Sequence, residues 1–142
     1  MDDCTYCRII DNKSVNNIIA ENDHAICFAE SYFREGHCSV VLKRHVSSVS
    51  ELTSGEYIQL FSLVKTISNA LETKYNVDKT YLLSIGDQVD HFHMHLIPKH
   101  NDKCSMGIYC FGALFEAEGK RNPTKEEQEL LKNDLLGIIS KK

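Results

Sequence analysis

His91-Phe92-His93-Met94-His95-Leu96-Ile97-Pro98 alternates imidazoles with large apolar side chains and closes on a proline. In an extended chain, residues two apart point to the same face. The stretch therefore reads as a strand with His91, His93 and His95 in a row on one side. Phe92, Met94 and Leu96 point to the other side, toward a core. Three solvent-facing histidines are the plain alternative. The alternation with large apolar residues demands a half-buried strand, which makes the row a candidate site. Pro98 helps to end the strand.

Working outward, Thr80 to Ile85 reads as another strand, with a turn at Gly86-Asp87. Before it, Thr53-x-x-Glu56 is a capping-box pattern. Tyr57, Leu60, Phe61, Val64, Ile67, Leu71 and Tyr75 follow at helical spacing, so a long helix with these residues in the core is expected to fade near Asn76. Cys38 to Lys43 is a compact apolar strand running into Arg44-His45, after a loop through Arg34-Glu35-Gly36. Ile18 to Glu21 and His24 to Glu30 read as two strands of a hairpin turned at Asn22-Asp23. Past Pro98, the segment Asn101 to Gly119 is irregular. A second capping box, Thr124-x-x-Glu127, opens a final amphipathic helix carrying Leu130, Leu131, Leu135 and Ile138. This order is not an alternating β-α-β series. It predicts an α+β fold with an antiparallel sheet, a long central helix and a C-terminal helix. Without a repeat or low-complexity linker, residues 1–142 read as a single domain.

A chain of 142 residues can bury a core without a disulfide scaffold. Its net charge of −4 argues against a nonspecific nucleic-acid binder, though not against a small phosphate ligand in a local site. The N-terminal sequence lacks a basic region followed by an apolar one, and no apolar run approaches membrane-spanning length. Cys27, Cys38 and Cys110 sit in apolar or strand-like surroundings and read as small buried hydrophobes, whereas Cys104 lies in a polar stretch. A reducing, cytoplasmic setting without membrane or nucleic-acid partners is expected.

Cys4-Thr5-Tyr6-Cys7 carries two thiols at a spacing that lets both meet one metal ion. A redox dithiol is the competing reading, but it usually follows a strand, for which there is no room here. A metal site at this pair requires two further ligands. The histidine row admits three chemistries: metal ligation, nucleophilic attack by an imidazole nitrogen, and acid–base work on a leaving group. A cupin-type site would want a carboxylate soon after the His-x-His pair, where this chain has Leu96-Ile97-Pro98-Lys99-His100.

The stretch His91-Phe92-His93-Met94-His95-Leu96-Ile97 resembles the signature of the histidine triad (HIT) superfamily of nucleotide hydrolases and transferases, His-φ-His-φ-His-φ-φ with φ apolar. Cys4 to Ile10 resembles the family's opening segment. Gly36-His37 through Val40-Val41-Leu42-Lys43-Arg44-His45 resembles its Gly-His, apolar strand, basic residue and histidine. Gly86-Asp87-Gln88-Val89-Asp90-His91 is similar to the entry to the triad in one branch. The resemblance spans most of the chain up to about Pro98.

That resemblance implies a five-stranded antiparallel sheet with helices, and a homodimer. It implies that His93 is a nucleophile attacking the α-phosphorus of a nucleotide, its tautomer fixed by a backbone carbonyl of the same strand. His95 would contact phosphate and assist the leaving group. By resemblance to zinc-bearing members and the related hexose-1-phosphate uridylyltransferases, Cys4, Cys7, His45 and His91 would hold a structural zinc that does not activate water. Phe28 resembles a base-contacting position and Glu30 an acidic ribose-contacting one, with Glu in place of the usual Asp. Tyr6 and Ile9 are further candidates for the base pocket. Gln88 and Ser84 are candidates for the phosphates, although the loop before the triad is shorter than usual. Asp87 and Asp90 bring acids near a supposed anion site, which nothing in the sequence accounts for. The implied substrates are a purine nucleotide, a nucleoside phosphoramidate or a dinucleoside polyphosphate. The alternative function is a zinc-stabilised, nucleotide-binding regulator with negligible turnover.

Overall fold

Five strands build one antiparallel sheet: β1 (Ile18–Glu21), β2 (Ala25–Ala29), β3 (Cys38–Leu42), β4 (Thr80–Leu83) and β5 (His93–Pro98). Their spatial order is β1-β2-β3-β5-β4, so the histidine strand lies inside the sheet between β3 and β4. Three helices accompany it: α1 (Thr5–Asn12), α2 (Ser54–Tyr75) and α3 (Lys125–Ile139). These are the features of a computed structural model, which describes residues 4–12, 15, 17–30, 34–100 and 123–141. The irregular segment Asn101 to Gly119, with Cys104 and Cys110, lies outside the described residues.

The sheet's two faces have different occupants. On one, Cys27, Val40, Leu42, Met94 and Leu96 pack with Leu60, Val64, Ile67 and Leu71 of α2 and with Leu131 and Leu135 of α3. This is the apolar side expected for the strand holding Met94 and Leu96. On the other, Ile26, Phe28 and Val41 gather with Tyr6 of α1 in a second, smaller cluster. Both faces of β2 and β3 are therefore covered, and all ten of their residues are buried.

Both expected capping boxes form. Thr53 accepts from the Glu56 N–H while Glu56 caps back, and Thr124 and Glu127 do the same for α3. Helix α2 ends at Asn76 in the left-handed conformation (φ 50°), a conformation asparagine tolerates better than most residues. A third box, Ser48 with Glu51, caps the short 3-10 turn Val49–Glu51. Glu56 also receives the Arg44 guanidinium, Nε to Oε1 at 2.6 Å and Nη2 to Oε2 at 2.8 Å. That fork pins the chain leaving β3 to the first turn of α2.

The structure corrects the sequence reading at several places. Tyr57 is 49% exposed and Leu130 64% exposed, so neither is core. Leu63 and Ala70 are buried on α2 instead. The strand holding the histidines starts at His93, not His91, because β3 ends at Leu42 and its continuation turns away. Leu42 still donates to the Phe92 carbonyl at 3.2 Å, but Phe92 donates to Val46, past the turn, at 2.6 Å. Helix α1, which the sequence reading did not single out, starts directly after Cys4 and carries Cys7.

Candidate active site and metal centre

Cys4 and Cys7 are separated by three positions, with Cys7 on the first turn of α1 and Cys4 just before it. Residues three apart on a helical turn share a face. The Cys4 sulfur lies 3.3 Å from His91 Nδ1. The Cys7 sulfur lies 3.3 Å from His45 Nδ1 and 3.5 Å from His91 Nδ1. All four ligand atoms fall within 4.8 Å of one another. Tetrahedral zinc with its usual bond lengths would set sulfur and nitrogen roughly 3.5 Å apart, so the set fits such an ion. His91 is fully buried, and its Nε2 lies 2.6 Å from the Leu42 carbonyl. A carbonyl can only accept, so Nε2 carries the proton and Nδ1 presents its lone pair to the sulfurs. Burial pushes the Cys7 thiol up and the His91 imidazole down.

His93 follows the same logic with the opposite nitrogen. Its Nδ1–H donates to the His91 carbonyl at 2.6 Å, which leaves Nε2 unprotonated. Burial holds the ring's proton affinity below the usual imidazole range. A neutral imidazole with one bare nitrogen is what nucleophilic attack requires. The Tyr6 ring packs 4.9 Å from it, centroid to centroid, and the His95 ring stands edge-on at 4.8 Å. His95 Nδ1 is 2.9 Å from His37 Nε2 and 3.3 Å from Ser39 Oγ. Burial and then the neighbouring His93 push His95 down to about 4, so it too is neutral near neutrality.

The row of three is therefore one row with two offices. His93 and His95 face the second side of the sheet, while His91 turns into the cysteine cluster. Cross-strand register decides what else stands there. Phe28 pairs with Ser39 and Ser39 with His95, while Ile26 pairs with Val41 and Val41 with His93. Phe28 is buried in the small apolar cluster, and Tyr6, Ile9 and Val89 share that cluster. Glu30 lies just past β2 and is half-buried; burial raises its carboxyl to about 7, with the Ser39 hydroxyl pulling the other way. Ser84 and Gln88 lie exposed in the stretch between β4 and β5, as do Asp87 and Asp90.

His37 and Ser39 meet the His95 ring, and the sequence reading gave neither a role there. The available signal for Ser39 was a hydroxyl inside an otherwise apolar strand, where a buried polar group needs a partner. For His37 it was the Gly36-His37 pair. Gly36 has φ +86°, and a Cβ there would lie 2.5 Å from the Tyr75 ring, so the turn that aims His37 inward demands glycine.

The HIT domain family model matches residues 11–102, and the chain belongs to that family. The span covers the sheet with His93 and His95; Cys4 and Cys7 precede it. Adenosine 5'-monophosphoramidase hnt1 of Schizosaccharomyces pombe is 28% identical over 107 residues, covering 74% of this chain and 80% of that protein. A hypothetical histidine triad nucleotide-binding protein from Sulfolobus tokodaii superposes with a TM-score of 0.76 at 24% identity, over 97% of this chain and 93% of that one. A Zn-bound histidine triad family protein from Mycobacterium smegmatis superposes with a TM-score of 0.73 at 20% identity, over 99% of both chains. Among the described residues, no helix is long and apolar enough to cross a membrane.

Proposed function

We propose that this protein is a nucleotide-binding hydrolase that cleaves a P–N or P–O–P bond at a nucleoside α-phosphate through a nucleotidyl-His93 intermediate. The observation that carries this reading is the tautomer of His93: Nδ1–H is tied to the His91 carbonyl, which leaves Nε2 unprotonated, with the His95 ring beside it. The Nε2 lone pair attacks the α-phosphorus, and the bond to the leaving group breaks. His95 protonates the departing amine or oxygen. Water then attacks the phosphorus and gives a proton back to His95, the His93–phosphorus bond breaks, and the nucleoside monophosphate leaves with His93 neutral again. Phe28, with Tyr6 and Ile9, takes the base, purine in the first instance. Glu30 meets the ribose, and Ser84 and Gln88 reach the phosphates. The phosphoramidase name of the fission-yeast relative supports an AMP-type phosphoramidate as substrate.

Cys4, Cys7, His45 and His91 would hold zinc, which the Zn-bound mycobacterial neighbour also supports. A closed shell of four such ligands supplies folding free energy and a tether for α1. The protein is proposed to work as a cytoplasmic homodimer, by analogy with its family.

The test is incubation of the purified protein with adenosine 5'-phosphoramidate. AMP release is expected, together with an acid-labile adduct of AMP mass on the His93 peptide after rapid quench. Tight nucleotide binding without AMP release would replace this reading with that of a nucleotide-binding regulator.

A further inference from the structure

Beyond the two histidines, the second face of the sheet holds a polar chain of its own. Ser39 is completely buried in the middle of β3, and a hydroxyl there needs partners. Its Oγ lies 3.3 Å from His95 Nδ1, and the Glu30 carboxyl, two residues past Ser39's cross-strand partner Phe28, feels the same hydroxyl. A hydroxyl both donates and accepts, so it can stand between an acid and an imidazole and pass a proton in either direction.

We propose that Ser39 is a proton-relay and positioning residue that joins Glu30 to His95, so that the leaving group's proton is drawn from the Glu30 carboxyl. This rests on the hydrolase reading above and gives Glu30 a second duty on that same site. Its carboxyl has two oxygens, so a bond to Ser39 does not use up the group.

The proton count closes. Glu30 gives its proton to Ser39 Oγ, Ser39 gives its own to His95 Nδ1, and His95 Nε2 gives one to the leaving nitrogen as the P–N bond breaks. Glu30 is left as carboxylate. When water attacks the nucleotidyl-His93 bond, its proton enters at His95 Nε2 and returns along the same path. No outside acid is consumed.

The electrostatics agree with this direction of flow. Burial raises Glu30 to about 7, the Ser39 hydroxyl opposing it, so the carboxyl is a proton store near neutrality. His95, pushed down to about 4, is a poor store but a good conduit. His37, whose Nε2 faces the same His95 nitrogen at 2.9 Å, is held neutral by burial well below the usual imidazole range, so it orients the ring without supplying a net proton. Among the described residues, His93 stands beside His95, the Cys27 thiol across the sheet feels the Glu30 charge, and the Gln128 amide donates to the Glu30 backbone carbonyl. None of these competes as an acid near neutrality.

The experiment uses the full chain as purified with its metal, as wild type, Ser39→Ala and Glu30→Gln. Turnover is compared on an N-alkyl adenosine phosphoramidate, a poor leaving group, and on the p-nitrophenyl ester of AMP, a good one. Loss of general-acid supply should cost Ser39→Ala about 10²-fold on the phosphoramidate, and at least about tenfold less on the nitrophenyl ester. Equal losses on both substrates overturn the relay. In parallel, ring ¹⁵N shifts of His95 are followed through the Glu30 titration. In wild type they should report the Glu30 midpoint, and in both variants that inflection should vanish. An unchanged His95 profile in Ser39→Ala overturns the proposal whether or not the protein turns over. Wild-type inactivity on both substrates would defeat the hydrolase reading alone, with the ¹⁵N profile still deciding the link.

Discussion

His93 and His95 are two residues apart, yet their chemistry diverges through single hydrogen bonds. The His91 carbonyl fixes His93 with its proton on Nδ1, while His37 and Ser39 crowd Nδ1 of His95. This asymmetry makes the three histidines separable by mutation. His93→Ala should lower the single-turnover rate by about 10⁴-fold or more, with zinc content and melting temperature close to wild type. His91→Ala should first lower zinc content, with stability and activity falling together. His95→Ala should keep zinc and a measurable rate, its loss smallest for good leaving groups. Metal analysis, thermal melts and single-turnover kinetics on the three variants check this; a His93→Ala protein that loses zinc or keeps near-normal turnover would overturn the assignment. That His93 and His95 share a face was legible because strand periodicity alone puts them there, whereas the roles proposed for them come from the resemblance to the HIT family. Ser39 was not, since its meaning depends on which residue of another strand stands opposite it.

Among the elements, α1 shows how a short helix escapes a sequence reading. It has eight residues, with no acidic residue in its first turn and no basic one in its last. Isolated helices of that length are marginal, so tertiary contacts must hold it. Here Tyr6 docks on the sheet and the cysteines meet the histidines. Helix α2 was legible from its capping box, but the second partner of that box was not. Glu56 is drawn down to about 2, first by the Arg44 guanidinium and then by the Thr53 N–H. A carboxylate depressed in the native state contributes stability that is fully present above its unfolded value and lost as pH falls toward its native one. Glu56→Gln should therefore be less stable than wild type near neutrality, by ~1 kcal/mol for a weakened cap. That gap should close as pH falls from the ordinary 4.5 toward about 2. Urea midpoints of both proteins across that range measure it, and a gap independent of pH would show that the Arg44–Glu56 fork is not its source.

At the scale of the whole molecule, the metal cluster joins three separate parts of the chain: α1, the loop after β3, and the entry to β5. An ion bound only by the folded chain stabilises it by mass action, about 4 kcal/mol when free metal exceeds Kd a thousandfold. For a chain of this size that corresponds to about 10 °C in Tm. Removing zinc with a strong chelator, or Cys4→Ser, should lower Tm by about that much, and zinc should restore it only in the wild type. Calorimetry with metal analysis decides the matter; an unchanged Tm on full zinc removal would show that the cluster does not tether the fold.

By itself, the sequence determined the antiparallel α+β order, both helix caps, the apolar face of the histidine strand and the facing pair His93 and His95. Each of these follows from periodicity or from local hydrogen bonding within a few residues. It also marked Cys4 and Cys7 as a pair that needs outside partners, and the family resemblance named His45 and His91, the two that the structure brings to them. Only the tertiary structure decided which nitrogen of His91 meets the cysteines and that His37 and Ser39 converge on His95. Those facts depend on where β3 ends and on which residue of β3 stands against which of β5. Register between strands separated by more than fifty residues is set by packing the sheet as a whole.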